Sequence, residues 1–380
     1  MTDLLAGVLA SGALGELSEA HIDALWEEAC ATRVDVLVAS VALREKGMLP
    51  DAARRRMSQR LRAAQAMEMV RHREISRIVE AFDSAGVHVL LLKGAALAYT
   101  VYPQPHLRPA DDIDLFIRHE ARAHAERSLA ACGYERVQEP DVELASSQRH
   151  YVQRDAKGPI PWVDLHWRVA NPRVFGDAIS FEDAWSASVP VLSIGRTART
   201  LATPDALLLA CVHRVAHHQD RPDLLWIWDI HLLAGQMTAV DGDVFVQRAE
   251  RGGICAVSVR GLELAHDRFR TPAVPSLIQR LRSAGACEPS SRFLGGGLRQ
   301  VDVLTADLAA TKSLGHRLQL LREHLFPPRA YIRARYPQWP GIVLPFAYAD
   351  RIIRGAPKWF QRPPAAISRP SPSLGKESGR

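Results

Sequence analysis

Residues 111–117 read Asp-Asp-Ile-Asp-Leu-Phe-Ile, a short run in which acidic and apolar side chains alternate. In an extended strand, residues two apart point to one face at a spacing of about 6.6–7 Å. Asp112 and Asp114 therefore share a face, and Ile113 and Leu115 turn to the core. Two carboxylates that close repel by about 2.4 kcal/mol at an effective dielectric near 20. A half-buried sheet keeps such a pair only with a compensating cation. Hard oxygen ligands suit Mg²⁺, with Mn²⁺ as the alternative, and Mg²⁺ favours a few carboxylates plus substrate phosphates.

A third acid lies downstream in Trp-Val-Asp-Leu-His-Trp, residues 162–167. The same alternation puts Asp164 and His166 on one face and Val163, Leu165 and Trp167 on the other. Beside Asp112 and Asp114, Asp164 completes a site able to hold two metal ions. One ion lowers the pKa of an attacking hydroxyl, and the other neutralises a leaving phosphate. An isolated Asp-x-Asp at a strand end more often caps a turn, so the reading also needs a place for the phosphates. Upstream, Val-His-Val-Leu-Leu-Leu (87–92) reads as a fully buried strand. It runs through Lys93-Gly94 into a short helix, Ala-Ala-Leu-Ala-Tyr-Thr-Val-Tyr. Free N–H groups at a helix start and a glycine that lets a phosphate approach make a phosphate turn, to which Lys93 adds a point charge.

Outward from these segments the chain is helical from about residue 14 to 84. Pro50 and Asp51 open a long helix that Gly86 ends, and its Arg54–Arg56 cluster reads as a solvated face. Strand, helix, strand, helix follows to Gly133. Arg-His-Tyr-Val-Gln-Arg (149–154) and residues 160–167 then form a hairpin across Asp-Ala-Lys-Gly-Pro. After residue 200 helices return, beginning at Thr203 as a cap with Pro204 in the first turn, and a later helix stops at Gly235. The expected class is α+β, a mixed-sheet core flanked by an N-terminal helical segment and a C-terminal helical domain. The expected divisions are an N-terminal helical region 1–84, an α/β core 85–200, a helical domain 201–325, an aromatic and basic clamp 326–361 and a disordered tail 362–380.

Of the 380 residues, 47% are apolar and 24% charged, the composition of a soluble globular protein. No apolar run approaches the roughly 20 residues that cross a bilayer, and the first residues lack a basic signal-peptide region, so a cytoplasmic protein is expected. Five scattered cysteines without a Cys-x-x-Cys pair indicate buried thiols rather than disulfides or a zinc site. The net charge is +6, but residues 312–380 hold 13 Lys and Arg against 3 Asp and Glu, so residues 1–311 sum to −4. A nucleic-acid-binding body carries its positive charge on the folded surface. That split speaks against nucleic acid as a partner.

The order Leu-Leu-Lys-Gly-Ala-Ala-Leu (91–97), then residues 102–117, then Val-Asp-Leu-His-Trp (163–167), then Cys-Val-His-Arg-Val-Ala-His-His (211–218), resembles the uncharacterised nucleotidyltransferase family of the DNA polymerase beta-like superfamily. The resemblance spans roughly residues 85–340. It implies a polymerase-beta-like core and transfer of a nucleoside monophosphate from an NTP such as ATP. It further implies Mg²⁺ on Asp112 and Asp114, Asp164 as third carboxylate and base, and Gly94 as the glycine that meets the triphosphate. The chain departs from the superfamily in lacking a Gly-Ser or Gly-Gly pair at this turn, a hydroxyl contact for which Lys93 is the substitute. Asp111 either tightens metal binding or caps the preceding turn. Arg108 either reaches the triphosphate or fixes the loop through Asp111 or Asp112.

His166 is open to contact with a ribose or a metal-bound water, or to simple packing. His213 and His217 have metal-pair spacing without a third ligand and read as structural, and Trp226 and Trp228 read as core. The acceptor is a small molecule, a peptide or a protein side chain. The alternatives are a non-catalytic nucleotide-binding regulatory module with the same fold, and a tRNA-type nucleotidyltransferase that the charge split disfavours.

Overall fold

The computed structural model describes residues 1–45, 49–154, 158, 160–272, 274–284, 288–337 and 344–362. Seven strands form one mixed sheet: β1 (Val89–Leu92), β2 (Asp112–Ile117), β3 (Glu135–Arg136), β4 (Gln148–Val152), β5 (Trp162–His166), β6 (Val189–Pro190) and β7 (Arg199–Thr200). Their order is β3-β4-β5-β2-β1-β7-β6. β2 pairs antiparallel with β1 and parallel with β5, and β5 pairs antiparallel with β4. The fold class is α+β, as expected. The β4–β5 hairpin also forms, although residues 155–157 and 159 of its turn lie outside the described residues.

Four helices precede the sheet: α1 (Thr2–Ser11), α2 (Glu19–Ala31), α3 (Asp35–Arg44) and α4 (Asp51–Ser84). The first begins earlier than the periodicity from residue 14 suggests. Within the sheet region lie α5 (Lys93–Thr100), α6 (Arg122–Ala131), α7 (Arg173–Gly176) and α8 (Phe181–Ala187). The helical body that follows contains α9 (Thr203–Ala216), α10 (Leu224–Gly235), α11 (Ala239–Gly252), α12 (Cys255–Phe269) and α13 (Val274–Ala284). It continues through α14 (Gln300–Ala310) and α15 (Leu314–Leu325) to α16 (Arg329–Arg335) and α17 (Leu344–Phe360).

The two faces of the sheet are covered differently. Odd-numbered residues Leu91, Ile113, Leu115, Val163 and Leu165 pack against Ile75, Ile78, Val79 and Phe82 of α4 and Leu129 of α6 in an apolar layer. Even-numbered residues Leu90, Leu92 and Phe116 join a second, larger core with Leu207, Leu208 and Ile227 of α9 and α10. That second face also carries the acids. Register places Asp114 beside Leu92 on one side and Asp164 on the other, with His150 beyond Asp164, so the four stand in one row across β1, β2, β5 and β4. A second row runs Phe116, His166, Gln148.

Several boundaries differ from expectation for local reasons. β1 starts at Val89 because His88 leaves the sheet and stacks on Trp185 at 4.3 Å. Ala202, not Thr203, is the N-cap of α9, without a side-chain cap, while Pro204 sits in the first turn as expected. β6 and β7 are two residues each, too short to give a periodic signal. Cys132, Cys211 and Cys255 are buried thiols, but Cys30 is exposed, and Cys287 lies outside the described residues. The expected clamp is described except for residues 338–343, and the tail from residue 363 lies outside the described residues. Among the described residues no helix is long and apolar enough to cross a membrane.

Candidate active site

Where β1 runs into α5, the backbone passes through the left-handed region at Lys93 (φ 51°). For a residue with a Cβ this conformation is uncommon and marks a locally over-determined turn. Gly94 has no such φ, and its lack of a side chain serves another purpose. A Cβ there would sit 3.0 Å from Arg108 Nη1 and 3.2 Å from Ala110 Cβ. The glycine thus admits the loop before β2 close to the start of α5.

The turn aims Lys93 at the acid row. Its Nζ donates to Asp114 Oδ1 at 2.6 Å, and His166 Nε2 lies 2.8 Å from the same oxygen. Asp114 is 2% exposed and His166 fully buried. Asp114, Asp164 and His166 can bring one ligand atom each to within 4.8 Å of one another. On the far side, His150 Nε2 lies 3.5 Å from Asp164 Oδ2, while its Nδ1 is 2.7 Å from Glu139 Oε1.

The electrostatics follow from one cation among three acids. Burial alone would raise Asp114, but the Lys93 charge and the hydrogen bonds from His166 and Lys93 hold it well below the usual carboxylate range. Burial and the negative charges of Asp114 and Asp164 push Asp112 up to about 7. Burial and Asp114 push Asp164 up to about 6. Burial and the neighbouring ammonium lower His166 to about 4, so it is neutral at pH 7. Against burial, the Asp114 charge keeps Lys93 raised and protonated. With all three carboxylates ionised, one ammonium leaves two formal negative charges in a largely buried site, and the raised Asp112 and Asp164 register that repulsion. A divalent cation fits both that surplus and the hard-oxygen donor set.

Beside the row lies a pocket lined by Lys93, Gly94, Arg108, Asp112, Asp114 and, on the helical side, His213, His218 and Trp226. Arg108 meets neither Asp111 nor Asp112. Its Nε and Nη2 donate to Asp229 of α10 at 2.7–3.1 Å, and its Nη1 donates to the Pro109 carbonyl. Tyr102 donates to Asp229 Oδ1 at 2.7 Å. Asp111 instead pairs with Arg33 at 2.7 Å, where it is exposed.

Asp229 has no role in the sequence reading, although a single acid inside the apolar helix Leu-Leu-Trp-Ile-Trp-Asp-Ile-His (224–231) is a visible signal, since a buried charge needs a partner. Trp226 is buried as expected of a core residue, yet it also walls the pocket, with the His218 ring stacked on it at 3.9 Å. Trp228 packs on Phe269 at 4.8 Å and takes no part in the pocket lining. Burial and Lys93 lower His217 to about 3 and His218 to about 4, and hold His213 well below its ordinary value, so these rings are neutral at pH 7.

A model of the family described as uncharacterised nucleotidyltransferase matches residues 18–270. The chain belongs to that family. The matched stretch contains the whole sheet, the Lys93–Gly94 turn, the acid row and helices α9 to α12 up to Arg270, while α13 to α17 lie beyond it. As a nucleotidyltransferase the protein is an enzyme that transfers a nucleoside monophosphate, with an NTP as substrate. Among solved structures, the antibiotic-resistance factor ANT(2'')-Ia matches with a TM-score of 0.34 and 18% identity, covering 52% of this chain and 97% of that one. No curated protein matches the chain.

Proposed function

We propose that this nucleotidyltransferase carries a nucleoside monophosphate from a Mg²⁺-bound NTP, ATP among the candidates, to a hydroxyl of a small-molecule, peptide or protein acceptor. The observation that carries the reading is the surplus of negative charge on Asp114 and Asp164, side by side across β2 and β5, and on Asp112 two residues before Asp114, which Lys93 neutralises only in part. Asp112, Asp114 and Asp164 would hold the ion. When bound, Mg²⁺ supplies charge neutralisation at the phosphates and acidifies the attacking hydroxyl.

The remaining work falls to the chain. Lys93 keeps Asp114 ionised and lies at the pocket wall, where a triphosphate meets both it and the start of α5 at Gly94. Arg108 holds the wall in place through Asp229. His166 orients Asp114 through Nε2. Asp164, the acid next to His150, is the base in this reading. It takes the acceptor proton as the acceptor oxygen bonds to the α-phosphorus and the bond to the pyrophosphate oxygen breaks. Trp226 and His218 offer a stacked aromatic wall to the nucleobase.

Calorimetry with Mg²⁺ and each NTP, and transfer of label from NTP to candidate acceptors, test the reading together. The protein is expected to bind at least one Mg–NTP. The double substitution Asp112→Asn with Asp114→Asn is expected to cut transfer by about 10³-fold. Absence of NTP binding under any divalent metal, or unchanged transfer in the double variant, contradicts the proposal.

A further inference from the structure

We infer that α17 lays an apolar face onto a membrane surface rich in anionic lipid and so holds the enzyme at the bilayer as a peripheral protein. The inference does not rest on the nucleotidyl-transfer reading. The side chains of α17 are sorted against the usual order for a surface helix, whose apolar stripe faces the core. Phe346, Ile353 and Phe360 recur every seven residues and are 68%, 71% and 61% exposed. Ala349 and Ala356 fill the same side and Pro345 and Pro357 border it, all of them exposed. At 3.6 residues per turn these residues form one arc of about 120° that contains no charge and no hydrogen-bonding side chain.

The opposite side of the helix explains why this face turns outward. Ala347 is buried, Tyr348 donates its hydroxyl proton to the Pro327 carbonyl at 2.7 Å, and Arg351 donates to the carbonyls of His324 and Leu325 at 3.1 and 3.5 Å. These contacts tie α17 to the end of α15 and the turn after it, and the rings are left in water. A contiguous exposed apolar patch of this kind marks a contact with a partner or a membrane.

Charge decides between them. Residues 312–380 carry 13 Lys and Arg against 3 Asp and Glu. Among the described residues of that stretch the acids are Glu323 and Asp350, and both are engaged. Glu323 accepts from the backbone N–H groups of Leu144 and Ala145, and Asp350 accepts from Arg354. Exposed cations stand near both ends of the apolar arc. Arg329 and Arg333 of α16 share a cavity with Leu344 and Pro345 at its start, and Arg354 and Lys358 lie on its flank toward the end. A second copy of the chain would set these cations against their own kind. The segment 363–380 is itself basic, with Arg369, Lys376 and Arg380 against Glu377. A nucleic acid would meet the cations and leave the rings in water. An anionic bilayer answers both features, its acyl region taking the rings and its headgroup phosphates the cations. The helix lies on such a surface rather than crossing it, since Asp350, Arg351, Arg354 and Lys358 interrupt its apolar residues.

The test floats the full chain with vesicles of phosphatidylcholine mixed with phosphatidylglycerol, and with vesicles of phosphatidylcholine alone. A short RNA in a gel shift and sedimentation velocity without lipid are the other arms. Partition onto the mixed vesicles is expected to exceed that onto the neutral ones by about tenfold or more at low salt. Phe346→Ser with Ile353→Ser is expected to cut it by about tenfold or more. Arg354→Gln with Lys358→Gln is expected to cut it by about tenfold on the mixed vesicles alone. Val240→Ser removes an apolar side chain that is 71% exposed on α11 and is expected to change nothing. Thermal melts of each variant show that the fold persists, and Phe360→Ser carries the same expectation should the first pair fail to fold. Four results overturn the inference: no binding to either vesicle, equal binding to both, binding unmoved by the α17 variants, or the same loss from Val240→Ser. RNA binding or self-association without vesicle binding overturns it as well. None of these outcomes bears on nucleotide binding, so the two readings stand or fall separately.

Discussion

Two groups of buried charges face the same pocket and are assembled on opposite plans. Arg108 and Asp229 close on each other through a two-pronged contact, Tyr102 fills a remaining lone pair, and every nitrogen of the guanidinium has a protein partner. Asp112, Asp114 and Asp164 share one ammonium among them, and two of the three are pushed toward protonation. A buried ion pair that balances itself can shape a wall but has nothing left with which to capture a ligand. A row that cannot balance itself is destabilising until something positive arrives, and that deficit is what gives it affinity for a divalent cation.

The contrast is sharpest when each group loses one member. Arg108→Ala strands a buried Asp229 carboxylate and is expected to cost about 3–5 kcal/mol of stability in denaturant titration. The paired replacement Arg108→Met with Asp229→Leu is expected to recover most of it. A loss below about 1 kcal/mol for Arg108→Ala breaks the comparison from its balanced side.

Removing an acid from the row is expected to work the other way. The folded state holds the Asp112 proton more tightly than the open chain does. Its stabilising contribution is therefore full below the ordinary pKa of 3.8 and is lost as pH rises through about 7. Metal-free Asp112→Asn is then more stable than wild type by about 2 kcal/mol at pH 8 and no different at pH 3.5, as thermal melts at the two pH values can show. Saturating Mg²⁺ is expected to narrow the gap by stabilising wild type more. The smallest effect belongs to the exposed pair beside the row. Arg33→Ala frees Asp111 at the surface and is expected to change stability by less than about 1 kcal/mol, since solvent screens such contacts.

The acid row was legible in the sequence because strand alternation is rigid. Once residues 112–117 and 162–166 are strands, the faces of Asp112, Asp114, Asp164 and His166 are fixed. Their parallel register, which aligns Asp114 with Asp164, was not legible, because it depends on the crossover through α6, β3 and β4. The partner of Arg108 was hidden for a similar reason. Asp229 is 121 residues away on a helix whose docking on the sheet no local pattern states. The preceding lysine, not Gly94, carries the left-handed backbone, because the glycine was needed for room against Arg108. His150 went unremarked because β4 looked like an ordinary hairpin arm, and only its pairing with β5 brings the ring to Asp164.

The most direct measurement of the central claim is the number of protons released when Mg²⁺ or Mn²⁺ binds the nucleotide-free protein near pH 6. It is obtained by calorimetry in buffers of different ionisation enthalpy. With Asp112 pushed up to about 7 and Asp164 to about 6, metal binding is expected to expel about one to two protons, falling toward zero by pH 8.5. Metal binding with no proton release at pH 6, or unchanged metal affinity after Asp112→Asn with Asp114→Asn, contradicts the claim that these acids form the ion site.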